Sequence, residues 1–236
     1  MFSDSSIKTF FDIALAGESK TYNDHNWYTN SGLKGYIEGR GNSAYPLLSK
    51  DLTKLTIGEV KALQSNQRDS NGQLWATGRY QIIPNTLTGS VKKAGLSDND
   101  LYNEKNQDKL GLSLLDARSS IRKYIRQEIP DTKENLESAS LSMAKIWSSI
   151  GVPYPLQGRN KFVDKNQSYY AGGGDKASET TEAVQSALKK LRESFGKKDT
   201  LVKSKSNLMK GIGYGFIMIS VVGFAYSLYY FTKTKK

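Results

Sequence analysis

A glutamate at the end of an apolar helix is placed for acid–base chemistry, and Glu18 holds that position in the stretch Ala16-Gly17-Glu18-Ser19. Hydrophobic neighbours disfavour the charged carboxylate and raise its pKa. A glutamate so tuned keeps its proton near neutral pH and can deliver it to a leaving oxygen. Ser19 is expected to hydrogen-bond the carboxylate and fix its direction. Spacing alone also allows Glu18 to be an ordinary helix-terminal residue. A second segment, residues 78–86, reads Gly-Arg-Tyr-Gln-Ile-Ile-Pro-Asn-Thr. It suits a strand or turn leading into a helix that Pro84 opens. Tyr80 would offer a stacking face and Gln81 an amide, the groups that recognise a sugar ring and its acetamido substituent. A third segment, residues 145–154, ends a helix near Gly151 and continues into a Pro-bearing loop that presents Tyr154.

The elements that must position these residues are mostly helical. Phe10, Phe11, Ala14 and Leu15 share one face of an opening helix that stops near Gly17. Thr56 and Glu59 have the spacing of a capping box ahead of Ile57, Val60 and Leu63. Further helices are expected over residues 106–115, 117–128 and 134–150. Residues 22–48 are rich in Gly, Asn, Ser and Tyr and could form a small hairpin sheet. No internal repeat is visible. The expected class is α+β, mostly α, with a small β element.

Composition narrows the chemistry. There is no cysteine, which removes disulfides and thiolate zinc sites. The one histidine, His25, has no second histidine for a metal site or relay and is expected to be an ordinary surface or loop residue. The net charge of +11 is uneven, with 22 Lys/Arg against 18 Asp/Glu up to residue 165 and 12 against 5 beyond it. No basic groove interleaved with aromatics is visible, so no nucleic-acid partner is expected. Neither a metal nor a cofactor is expected.

At the three segments the chain resembles the lysozyme-like lytic transglycosylases, above all their phage endolysin branch. The resemblance rests on the Glu18-Ser19 pair, the form Gly78-x-x-Gln81-Ile82-x-Pro84-x-Thr86, the tetrad Gly78-Arg79-Tyr80-Gln81 and the run Ile146-Trp147-Ser148-Ser149. The stretch 52–60 is similar to the helix preceding that tetrad in related phage proteins. It covers residues 8–165, and it implies a lysozyme-like domain over residues 1–165. It further implies that Glu18 is the sole catalytic acid/base, that Ser19 orients it, that Tyr80 and Gln81 contact N-acetyl groups, and that Tyr154 lines the same cleft. The implied substrate is the glycan strand of peptidoglycan. The implied reaction cleaves the bond from N-acetylmuramic acid to N-acetylglucosamine and leaves a 1,6-anhydro product. Residues 150–155 carry more proline than that family's loop, which leaves the role of Tyr154 open. A hydrolase would add a second carboxylate about 5–9.5 Å from the first. Asp24, Glu38, Asp51 and Asp69 lie where such a partner would be sought. A non-catalytic wall-binding or assembly protein of the same fold is the third reading.

Beyond residue 165 the sequence changes character. Residues 166–210 are expected to be a linker, with a glycine run at 172–174 and an amphipathic helix about 178–195 whose face carries Val184, Leu188, Leu191 and Phe195. That helix could dock on its own domain or lie on a membrane. Residues 211–231 contain no charged side chain. As a helix they would reach about 32 Å, against a hydrocarbon core of about 30 Å. A C-terminal transmembrane helix in the lipid bilayer is therefore expected, followed by a basic tail at 232–236. No cleavable export signal is expected, because Met1-Phe2-Ser3-Asp4 lacks a basic region and a long apolar run. A phage particle with an internal membrane would reconcile an anchor with a wall substrate reached from outside. The expected setting is thus a single-pass membrane protein of the virion, with other virion proteins as partners. Host lysis from the inner membrane is the alternative.

Overall fold

A computed structural model gives the architecture and describes residues 4–19, 21–29, 32–36, 48, 50–65, 73–172 and 176–196. In chain order the elements are α1 (Asp4–Ala14), β1 (His25–Thr29), β2 (Gly32–Tyr36), a 3-10 turn (Leu52–Lys54), α2 (Ile57–Ser65), β3 (Gln73–Thr77), α3 (Pro84–Ser90), α4 (Glu104–Asp116), α5 (Ser119–Ile125), α6 (Lys133–Ala144), β4 (Leu156–Gln157) and β5 (Phe162–Val163). A last helix, α7, covers 181–196. The fold is mixed α+β and mostly helical, as expected.

Local chemistry accounts for several of these elements. The capping box forms: Glu59 N–H donates to Thr56 Oγ1 at 3.1 Å and Thr56 N–H to Glu59 Oε2 at 2.6 Å. Two backbone donors that no helical carbonyl could take are thereby satisfied at the start of α2. Pro84 opens α3, where its missing N–H costs nothing. Asn103 and Thr132 cap α4 and α6 through side-chain oxygens. The expected 134–150 helix stops at Ala144, and the chain then turns through 145–149.

The small sheet has the order β2-β1-β3, all antiparallel, and the register between β1 and β3 slips between His25 and Trp27. It packs against α2 through Leu74, Ile57 and Val60, all buried. The core continues through Phe10, Phe11 and Ala14 of α1, and Leu15 just after it, into Leu110, Ile121, Ala139 and Met143. His25, expected at the surface, is buried in β1 because that strand lies between two others. Desolvation holds its imidazole below the usual histidine range.

Two expectations about the C-terminal third are corrected. The compact unit runs from Met1 to Arg192 rather than ending at 165. Val184, Leu188 and Leu191 of α7 are buried within it, so this helix docks on its own domain. A second unit, Glu193–Lys236, begins in the last turn of α7. The single-pass membrane placement is the other correction: among the described residues no helix is long and apolar enough to cross a membrane. Residues 211–231 and 232–236 lie outside the described residues, as do Glu38, Asp69 and the glycines at 173 and 174.

Candidate active site

The three segments meet at the end of α1. After Ala14 the chain turns through Leu15 to Glu18, with Leu15 N–H on Phe11 O at 3.0 Å and Glu18 N–H on Leu15 O at 3.1 Å. Gly17 gives this turn its room, since a Cβ there would meet Ser178. Glu18 is half-buried, and its Oε1 accepts the backbone N–H of Ser149 at 3.0 Å. Residues 131 apart are joined by that bond, which ties the first segment to the third. Ser149 is 5% exposed, and its Oγ has no hydrogen-bond partner among the described residues.

The tetrad of the second segment is a closed turn. Thr77 and Ile82 exchange backbone hydrogen bonds at 3.2 and 2.9 Å, so residues 78–81 loop out between them. Gly78 has φ +70° and Gln81 φ +44°, both in the left-handed region. No other residue suits position 78, because a Cβ would also fall 2.0 Å from Gln107 Oε1. That oxygen accepts Arg79 N–H at 3.0 Å, while Gln107 Nε2 donates to Tyr22 O and Tyr102 O. Trp147 Nε1–H donates to Tyr80 O at 3.0 Å, and Phe11 sets its ring edge-on to Tyr80 at 4.7 Å. Second and third segments are thus locked together across α1.

Within this frame the individual roles shift. Tyr80 is 2% exposed and faces the core. Its hydroxyl donates to Asp108 Oδ1 at 2.6 Å, the oxygen that also accepts Tyr22 Oη–H at 2.8 Å. A ring in that position has no face to offer a sugar, which corrects the stacking role expected for it. Gln81 is half-buried, with Nε2 donating to Gly78 O at 2.8 Å and Oε1 accepting from Asn26 at 3.2 Å. Its amide closes the turn. Ser19, expected to orient Glu18, lies with Oγ 2.8 Å from Asp24 Oδ2 and 2.7 Å from Thr21 O. Burial of Asp24 under Ser19 and Thr21 Oγ1 explains the choice: a buried carboxylate draws the nearest donors. The backbone N–H of Ser149 takes the orienting role instead. Tyr154 is exposed at 39% on the loop beyond Pro153, and its hydroxyl makes no hydrogen bond among the described residues.

Of the carboxylates considered as a second catalytic group, Asp24 is consumed by Ser19 and Thr21, and Asp51 pairs with Lys54 at 2.7 Å on the surface. The structure brings forward one the sequence did not suggest. Glu179 Oε1 lies 3.2 Å from where a Cβ on Gly17 would stand. Nothing in its local sequence marks it, because the contact that sets it beside the Glu18 loop is with residues far away in the chain. Among the described residues no group of three or more metal-binding side chains forms.

No protein-family model matches the chain, and neither a curated protein nor a solved structure matches it.

Proposed function

We propose that the chain is a peptidoglycan lytic transglycosylase and that Glu18 is its acid and base. The observation that carries this reading is the 3.0 Å bond from Ser149 N–H to Glu18 Oε1. It holds a half-buried carboxyl group in one direction at the meeting point of the three segments that resemble the family. A fixed direction is what a single group needs if it is to give and then take a proton at one sugar. In the proposed reaction Glu18 protonates the oxygen leaving the muramyl C1, and that C–O bond breaks. The muramyl C6 hydroxyl then closes on C1, its proton passing to Glu18. No water is consumed and the acid is restored. Tyr154 and the loop around it are the candidate sugar contacts. The resemblance to phage enzymes supports a role in opening the wall during entry, with lysis as the other use. Finding the protein in purified particles would favour entry.

One observation favours a hydrolytic variant: Glu179 puts a second carboxylate near the Glu18 loop, as a muramidase requires. Mass spectrometry of muropeptides released from purified peptidoglycan by the full chain separates the readings, with Glu18→Gln as control. Products one water lighter than hydrolytic ones, without a reducible end and absent from the control, are expected. Reducing-end products would make it a hydrolase. Binding without release from folded protein would leave the wall-binding reading in place.

A further inference from the structure

Past residue 165, where the resemblance ends, the chain comes back to the Glu18 loop. Just before α7 begins, Ser178 and Glu179 run beside Ser149, Ile150 and Gly151. The N–H groups of Ser178 and Glu179 both donate to Ser149 O, at 2.8 and 2.9 Å. Gly151 N–H returns a bond to Glu179 O at 2.9 Å, completing a parallel bridge between Ile150 and Glu179. Ser149 is therefore held on its carbonyl side by two donors, and its own N–H holds Glu18.

The same strap presses on the Glu18 loop from another direction. A Cβ on Gly17 would lie 1.6 Å from Ser178 Oγ and 2.7 Å from Ser178 Cβ. Ser178 is exposed and its Oγ can turn aside, but its Cβ cannot move while its backbone N–H stays on Ser149. Gly17 is thus the space that lets residues 178–179 touch the loop and Ser149 at once. Thr180 Oγ1, next along, accepts Ala183 N–H at 3.3 Å and anchors the strap to the start of α7. In turn α7 is fixed by its buried face.

We propose that the strap at residues 178–179 is a positioning element for Glu18, acting through the Ser149 peptide and admitted by Gly17. The proposal rests on the reading of Glu18 as the acid. It goes beyond the resemblance, because the strap lies outside the residues that carry it. A strap that merely closed the domain would change melting temperature and leave turnover of the folded enzyme alone. A positioning strap must change turnover.

The test compares the full chain with Gly17→Ala, Ser178→Pro and the double variant Gly17→Ala/Ser178→Gly, all assayed well below their melting temperatures. In Gly17→Ala the new methyl group pushes the strap away. Turnover should fall on the order of 10²-fold, the scale of about an ångström of misplacement, with KM within about threefold. Removing the Ser178 side chain clears both clashing atoms, so the double variant should recover most of that loss. Ser178→Pro deletes one donor from Ser149 O without touching Gly17 and should lower kcat in the same selective way. If Gly17→Ala keeps full turnover, or the double variant fails to recover, the strap does not position Glu18. A wild-type chain that releases no muropeptides overturns the enzymatic reading itself, and the strap's role with it.

Discussion

At the scale of single residues, the group that most needs a decision is Tyr80. Its hydroxyl and that of Tyr22 share one carboxylate oxygen of Asp108, and burial pushes both phenols well above the ordinary tyrosine range. They remain protonated and act as donors. Arg79 adds to the same cluster, with its guanidinium paired to Asp12 and set over the Tyr22 ring at 5.7 Å. Tyr80→Phe removes one donor and keeps the ring on Phe11. The expected cost is about 1.5–3 kcal/mol, the net worth of a hydrogen bond to a carboxylate. Urea unfolding should show that loss, while KM for glycan should not move. A raised KM at unchanged stability would return Tyr80 to the sugar. The tetrad stood out in the sequence by its residue types, but the burial of Tyr80 did not. A tyrosine beside a glutamine suits a sugar and a core equally well, and only Gly111, which lets the Tyr80 ring approach, tips it inward: a Cβ on Gly111 would lie 2.8 Å from Tyr80 Cε1.

At the scale of elements, the turn of residues 78–81 does the most with the fewest residues. It closes the Thr77–Ile82 bridge, hands Tyr80 to the core and sets its carbonyl on Trp147. Gly78→Ala would strain a left-handed backbone and displace Gln107, whose amide holds three backbone groups. Strain together with an unpaired buried group should cost about 2–5 kcal/mol. Gly89→Ala is the contrast, because a methyl group there meets nothing within 4 Å on the helix α3. It should stabilise by about 0.5–1 kcal/mol, the helix preference of alanine over glycine. Equal denaturation midpoints for the two variants would contradict this account of the turn. The elements most legible from sequence were those with local causes. A periodic face gave α1, a capping pair gave α2 and a proline gave α3. The strap of residues 176–180 was illegible because its cause is distant. Ser178 and Glu179 have no pattern of their own, and the bonds that define their role come from Ser149.

At the scale of the whole molecule, the boundary of the compact unit decides what residues 166–192 do. Sequence composition favoured a boundary at 165, because a glycine run and a rising density of lysine look like a tether. The compact unit instead extends to Arg192, with α7 supplying Val184, Ala187, Leu188 and Leu191 to the core. Gln127 Nε2 on Arg192 O and Gln185 Nε2 on Ser140 Oγ add polar ties to the turn after α5 and to α6. If α7 were a tether or a surface helix, truncating its apolar residues would change stability very little. Leu188 has no exposed surface, so Leu188→Ala loses its transfer energy and leaves a cavity, about 2–5 kcal/mol in all. Lys189→Ala, one position on and exposed, should stay within about 0.5 kcal/mol. On the proposal that Glu18 is the acid and the strap positions it, muropeptide release should fall with the folded fraction of Leu188→Ala as temperature rises, and Lys189→Ala should follow the wild type. Identical unfolding midpoints for the two variants would return residues 181–196 to the linker and leave the Glu18 loop to be held by the first 165 residues alone.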